Sequence, residues 1–502
     1  MKFQSKCCFV LAMLFVFFYG CKKSHQSLVG TYTATLSSDE IASVSADSAR
    51  ETILGVWTLA FVEDNHYVYM KNSKAFSFGS YHLKNNQLIL TNEKGEFVCG
   101  EAASDTATYD FRIDDTGVFF IPVSEKCERR KLIFSSKKFG FQNPQNVQVM
   151  GFPGFPAQTN DLDRDGVDDS LEDLLGSMFE PRVFLHPSEE YFPASVDWFL
   201  PRVRMSFDHA VTSVGTFFCS NDHPVLPDGA VNQDNIYSQS HRKAVIKYMK
   251  GIIPYCTDAG DLATSDQSIS FYLNLSSDDY YHGTTNRLDW RMYRHVRKSI
   301  TKPDGWDVQY WFFYPYNDDP VTNPTPVGGD PSNHEGDWEH VTFTIDNPDL
   351  NHPDFLKKLF GFRIYAAFYS AHEGGMRIDN PAELEYDDPN RLFTPIVYSA
   401  KGTHASYPHP GIYPLLLGFN DHAAGGGLVF FQGFSKVNMG EKGHPLFGNN
   451  FILFAGRWGE PGARLVPGKD KRASSAPQGP ATKPSWDNDY ALLLTSTAED
   501  SL

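Results

Sequence analysis

The chain has 502 residues, a formal net charge of −17, 14% aromatic residues, 39 Gly and 31 Pro. Such acidity argues against nucleic-acid binding and non-specific adhesion to anionic lipid, and it suits cation binding. The aromatic, Gly and Pro content favours strands and ordered loops over helical bundles, and the length allows two or three domains.

At the amino terminus, Lys2 and Lys6 flank the start of a nearly unbroken apolar run from Cys7 to Tyr19. A spanning helix needs about 20 apolar residues, so this shorter run fits the core of a secretory signal. It ends in Phe18-Tyr19-Gly20-Cys21, which resembles the cleavage box of bacterial lipoproteins. The expectation is a signal peptide over residues 1–20, a lipidated Cys21 and a tether over 21–27. Acyl chains would then hold the protein to a membrane, at about 0.8 kcal/mol per buried CH₂. The expected location is the cell envelope, on the periplasmic face or the cell surface.

Of the seven cysteines, Cys7 and Cys8 would leave with the signal and Cys21 would carry lipid. Cys99, Cys127, Cys219 and Cys256 remain, an even number that suggests disulfides in an oxidising compartment. Three pairings are possible; Cys99–Cys127 and Cys219–Cys256 each stay within one expected domain.

Residues 28–140 alternate short strand-like runs with turns. Val56 to Val62, Tyr67 to Met70, Leu88 to Thr91, Ala107 to Phe111 and Gly117 to Ile121 are such runs. This spacing predicts a small sandwich or barrel. The run Leu28-Val29-Gly30-Thr31-Tyr32, the Gly79/Tyr81 pair, and Cys99 with Cys127-Glu128-Arg129-Arg130 resemble small lipocalin-like domains of bacterial lipoproteins. That resemblance implies a lipocalin-like β-barrel with a binding or spacer role.

Residues 141–175 read as a linker that carries an acidic loop. The stretch from Asp161 to Glu172 matches D-x-D-x-D-G-x₅-E. Calcium takes six to eight oxygens at about 2.3–2.6 Å, which explains the alternation of Asp161, Asp163 and Asp165. Gly166 permits the sharp turn, Val167 offers its carbonyl, Asp169 acts directly or through water, and Glu172 closes the site. No helix-like pattern precedes the loop, so it resembles the isolated calcium loops of extracellular proteins rather than a paired EF-hand sensor. Bound calcium is expected there in a structural role.

Residues 176–465 read as one large domain, and 466–502 as a loose C-terminal segment rich in Lys, Ala, Ser and Pro. Within the large domain, residues 337–345 alternate as a strand does. Asp337, Glu339, Val341, Phe343 and Ile345 share one face; Trp338, His340, Thr342 and Thr344 share the other. Two carboxylates thus stand in line with a core-facing row. Burying them unpaired is costly, so a metal or a basic partner must neutralise them. His334, three residues before Asp337 in a Gly-containing turn, can swing toward the same point, and Asp318 ends an aromatic strand and could add a third carboxylate. One imidazole with carboxylates suits a hard or borderline divalent cation, Mg or Ca foremost. His404, in Gly402-Thr403-His404, and His372, in Ser370-Ala371-His372, are the candidates for a catalytic or cleft-lining imidazole.

Four ordered segments carry a family resemblance. They are Glu180 to Pro193, Val308 to Asp318, Asn333 to Thr342, and Val397 to Pro408. Together they resemble the Vps62-related family over residues 176–465. The His334-x-x-Asp337-Trp338-Glu339 core also looks like the heptapeptide of necrosis- and ethylene-inducing peptide-like (NLP) cytolysins. That likeness implies a large β-sandwich and a divalent cation at His334, Asp337 and Glu339. Asp318 stands near the family's upstream Asp with one residue inserted. In those cytolysins the metal helps engage a sphingolipid headgroup sugar, and membrane damage follows. This chain departs from the heptapeptide at Asn333 and at Glu335-Gly336.

The resulting expectation is a mostly β protein: a barrel, a calcium-loop linker and a large β-sandwich. Its metal site would recognise a sugar, phosphate or lipid headgroup. The alternative is a metal-dependent hydrolase of an ester, phosphodiester or glycan, with His404 or His372 moving a proton.

Overall fold

The computed structural model describes residues 28–142, 333–459 and parts of the chain between them, namely 161–207, 223–236 and 271–318, together with 476–487; the first two spans have short interruptions. The expected signal and Cys21 lie outside the described residues, as do Cys99, Cys219 and Cys256.

The amino-terminal strands form a closed antiparallel barrel in which each pairs with the next and the last returns to the first. They are β1 (Gly30–Leu36), β2 (Gly55–Phe61), β3 (His66–Lys71), β4 (Lys74–Lys84), β5 (Gln87–Gly95), β6 (Thr106–Asp114), β7 (Gly117–Ser124) and β8 (Phe139–Gln142). Inward residues alternate with outward ones, and the inside is filled with rings: Trp57, Phe61, Tyr69, Tyr109 and Phe120 among them. Helix α1 (Glu128–Ser135) adds Ile133 and Phe134 to that core. Cys127 caps it, its Sγ accepting from the Arg130 amide at 3.3 Å. The buried Arg130 guanidinium pairs with Glu125 at 2.7 Å, and the Tyr109 hydroxyl donates to the same carboxylate.

Helix α2 (Asp169–Met178) follows the acidic loop, capped by the Asp168 carboxylate on the Ser170 amide. Beyond it lie β9 (Arg182–Phe184), β10 (Val203–Phe207), β11 (His223–Leu226) and β12 (Phe271–Leu275). Next come β13 (Met292–Lys298), β14 (Trp306–Asn317), β15 (His334–Asp346), β16 (Arg363–Ala371) and β17 (Gly374–Ile378). Then come β18 (Tyr386–Asp388), β19 (Arg391–Ser399), β20 (Ser406–Tyr407), β21 (Gly411–Pro414), β22 (Asn420–Ala423), β23 (Val429–Phe430) and β24 (Lys436–Asn438), followed by the short pair β25 (Gly440–Glu441) and β26 (His444–Pro445).

A central sheet runs β17-β16-β15-β14-β13-β24 and is apolar on both faces. On one face, Val341, Phe343, Tyr310 and Phe312 join Val183, Val397 and Phe430 of the β18-β19-β9-β23 sheet. On the other, Trp311, Phe313 and Trp338 join Val203, Met205 and Leu273 of the β11-β10-β12 sheet. The expected sandwich is therefore layered three deep, because the long strands β14 and β15 bury both sides.

Two expected boundaries read differently in three dimensions. The acidic loop and α2 are part of the core: Val167, Leu171, Leu174 and Met178 pack with residues of the barrel and of the central sheet. The carboxyl-terminal segment is not loose throughout. Its Lys/Ser/Pro-rich composition conceals an anchor, Trp486, fully buried, stacked on His295 at 3.8 Å and donating to Glu441 at 2.9 Å. Ser485 accepts from Gln309 at 2.7 Å. We predict that Trp486→Ala costs about 3–5 kcal/mol in denaturant unfolding; an unchanged midpoint would contradict a docked tail.

Candidate functional site

β14 and β15 pair with Tyr314 opposite Asp337 and Phe312 opposite Glu339. This register carries both carboxylates onto the core face of the central sheet, in line with Val341 and Phe343, and both are buried. After β19 the chain turns sharply: Ala400 accepts from the His404 amide at 3.1 Å and donates to Ala405 at 2.9 Å. Gly402 makes the turn possible, with φ +74° and its α-carbon so close to Asp318 that an added Cβ would lie 2.1 Å from that carbonyl. The turn lays the His404 ring flat on Tyr314, 3.7 Å between centroids.

His404 is enclosed by acceptors. Its Nδ1 lies 3.0 Å from Asp337 Oδ2, and its Nε2 lies 3.1 Å from the Tyr191 carbonyl and 3.8 Å from Glu189 Oε1. Both nitrogens face acceptors, so both carry protons and the ring is an imidazolium. Burial opposes that charge, but the bonds to Asp337 and Glu189 outweigh it and hold the pKa up at about 9. Burial likewise pushes the Asp337 and Glu189 carboxyls up, and His404 overrides it and holds both below the ordinary range. Glu189 is further fixed by the amides of Glu190, Tyr191 and Gly402, each at 2.9 Å.

Glu339 has no such counter-charge. Burial, and then the nearby Asp337, push its pKa up to about 8, so it is protonated at neutral pH. Ser370, whose hydroxyl donates to Glu339, accepts from the His340 amide at 2.8 Å. His334 is half-buried at the start of β15, its pKa lowered by burial against the pull of Asp337. Asp318 accepts from Asn333 at 2.8 Å. His334, Asp337, Glu339 and Asp318 thus belong to one end of the β14–β15 pair, with Asp337 already committed to His404.

Among the described residues, the tight carboxylate groupings are in the acidic loop: Asp161, Asp163 and Asp165, and Asp163, Asp169 and Glu172, each with ligand atoms within 4.8 Å of one another. These acidic groups can hold a metal ion.

His372 sits in the β16–β17 turn with φ +56° and bonds Asp421 through Nε2 at 2.9 Å. Asp421, buried, also accepts from Tyr407 at 2.6 Å and Thr403 at 2.7 Å, and the pull of His372 keeps its pKa low despite burial. His404 and His372 are therefore each held by a carboxylate. With both ring protons in place, His404 has no lone pair to offer as a base.

Glu189, Tyr191, Ser370 and Asp421 were not singled out from the sequence as members of this site. Glu189 borders a cleft of about 470 Å³ with Glu190, Phe192, His282, Gly283, Thr284 and Thr285. Tyr191 stacks on His282, one of the lining residues, at 5.3 Å.

Residues 264–425, which hold most of this network, match the family model for vacuolar protein sorting-associated protein 62. Over that stretch the chain is similar to the Vps62 family. Two Saccharomyces cerevisiae proteins are similar to it. Putative vacuolar protein sorting-associated protein TDA6 is 28% identical over 34% of this chain and 38% of its own length. Vacuolar protein sorting-associated protein 62 is 25% identical over 56% of this chain and 58% of its own length. The chain thus matches less than two thirds of either relative. Among solved structures, NLPPya in complex with glucosamine is 14% identical, with a TM-score of 0.19, over 33% of this chain and 59% of its own. NLPPya in complex with mannosamine is 10% identical, with a TM-score of 0.22, over 55% and 76%. A structure titled "Toxin fold for microbial attack and plant defense" is 11% identical, with a TM-score of 0.23, over 62% and 86%. Scores this low carry no inference about what the chain binds.

Removing the imidazolium leaves Asp337 buried without a counter-charge. His404→Gln is expected to cost about 3–5 kcal/mol by denaturant unfolding, with partial recovery when Asp337→Asn is added. The sign of the pH effect follows from the raised pKa. The His404 contribution is complete below the ordinary 6.5 and is lost as pH rises through about 9. Glu339, also raised, acts in the same direction. Wild-type stability should fall over that interval more steeply than that of His404→Gln; parallel pH profiles would contradict the charge chain.

Proposed function

We propose that the protein is an exported, lipid-anchored envelope protein whose large domain recognises a sugar, as a free glycan or in a lipid headgroup, at the cleft beside Glu189. The observation that carries this reading is the chemistry of the cleft. Glu190, exposed, presents a carboxylate acceptor, Thr284, Thr285 and His282 present polar groups that can both donate and accept, and Phe192 presents an apolar ring. Carboxylates with hydroxyls suit the hydroxyl and ammonium donors of an amino sugar and disfavour a bare phosphate, and a ring face suits the C–H surface of a pyranose.

In this reading calcium occupies the 161–172 loop, and a second divalent cation, Mg or Ca, is held by His334, Asp337 and Glu339 with Asp318 nearby. The second ion fits less readily: Asp337 is bonded to His404, and Glu339 must lose its proton to bind it. Cys21 carries the lipid anchor, and Cys99–Cys127 and Cys219–Cys256 are the disulfides. The barrel is a lipocalin-like module, and contact with a sugar-bearing lipid would give a membrane-active, cytolysin-like outcome. A hydrolase reading is weaker, because His404 is enclosed and doubly protonated.

Calorimetric titration of the full chain with glucosamine and mannosamine tests the cleft. Saturable binding is expected, weakened about tenfold or more in Glu190→Gln, in line with loss of a charge-assisted bond. Absence of both sugar binding and association with glycolipid vesicles would refute the reading.

A further inference from the structure

The acidic loop is folded as if around an ion. Asp161 accepts from the amides of Asp165 and Gly166, both at 3.1 Å, and Asp165 accepts from that of Val167 at 2.6 Å. Asp169 accepts from the Leu162 amide at 3.2 Å. These bonds use one set of carboxylate oxygens and leave another. Asp163 Oδ1, Asp165 Oδ2, Asp169 Oδ2 and Glu172 Oε1 are all buried with no hydrogen-bond partner. Asp163 is 1% exposed and Glu172 not at all. The other oxygen of Glu172 accepts from Asn438 of β24 at 2.6 Å. Nearby basic side chains have other partners: Arg294 pairs with Asp173, Lys298 stands over the Trp306 ring at 4.4 Å, and His295 lies between Gln309 and Glu441, 3.1 Å from each.

Four buried oxygens without partners, on carboxylates that fall in two groups sharing Asp163, are too costly to leave bare. An all-oxygen, highly anionic donor set takes a hard divalent cation with flexible coordination, which is the chemistry of Ca²⁺ rather than Zn²⁺.

Asp169 and Glu172 stand in the first turn of α2, and α2 is where barrel and sheet meet. Leu171, Leu174, Leu175 and Met178 share one core with Val68, Met70 and Phe78 of the barrel and with Val296 and Val308 of the central sheet. Tyr310 of β14 donates to the Gly176 carbonyl at 3.1 Å. Approach to β13 is so close that a Cβ at Gly176 would lie 2.5 Å from Arg294 Cδ. An ion that fixes the first turn of α2 therefore fixes a shared wedge.

From this we infer that one Ca²⁺ in the 161–172 loop couples the barrel to the large domain by locking α2 between them. The inference rests on the calcium assignment proposed above and adds an interdomain role to it. Without the ion, repulsion among Asp163, Asp165, Asp169 and Glu172 opens the loop, and the barrel strands that lean on α2 lose their support.

The test combines calcium titration of the full chain with hydrogen exchange in calcium and in chelator. One high-affinity Ca²⁺ is expected, with added protection in α2 and also in β3 and β4. Glu172→Gln should bind calcium at least about tenfold more weakly. It should also cross over in stability, melting above wild type in chelator and below it in calcium, because it removes one uncompensated buried charge. Asp161→Asn, at a half-exposed position, is the second variant should Glu172→Gln fail to fold. If wild type takes up no calcium, both the calcium assignment and the coupling fall. If calcium binds but protects only the loop and α2, the coupling alone falls.

Discussion

The Glu189–His404–Asp337 charge chain is the constraint around which the large domain is arranged. It joins three segments far apart in sequence: the stretch after β9, the core strand β15 and the turn after β19. A buried carboxylate in line with Val341 and Phe343 would be intolerable alone. The chain solves this with an imidazolium whose two protons both have acceptors. The surrounding structure serves that geometry. Tyr314 supplies a flat surface opposite Asp337, Gly402 allows the turn to approach Asp318, and three backbone amides fix Glu189.

Two acidic centres meet the same physical problem in different ways. Near β15, one negative charge is balanced by His404 and another is removed by holding Glu339 protonated. In the 161–172 loop the carboxylates keep oxygens without partners. The first centre sets its buried charges against protein groups, while the second keeps carboxylate oxygens without partners.

Much of this was legible in the sequence because local periodicity was undisturbed. The alternation over 337–345 assigned Asp337 and Glu339 to the core face and Trp338 and His340 to the other, as the two core clusters show. The demand for a counter-charge followed from burial alone, and the basic partner proved to be His404. The acidic spacing of the loop also identified side chains that converge. What was hidden depended on distant contacts. Glu189 lay in an ordinary Glu-Glu doublet, and Asp421 had no local pattern before three donors met it. The four residues of β8 were too short a run to signal that they close the barrel. Trp486 was obscured by its polar neighbours, although a lone Trp in such a segment is itself a hint of docking.

The most direct measurement is nitrogen NMR of the histidine rings across pH. His404 should be doubly protonated at neutral pH and titrate near 9, with both N–H protons protected from solvent exchange. A neutral His404 ring at neutral pH, or one whose protons exchange freely, would contradict the buried charge chain and the site built upon it.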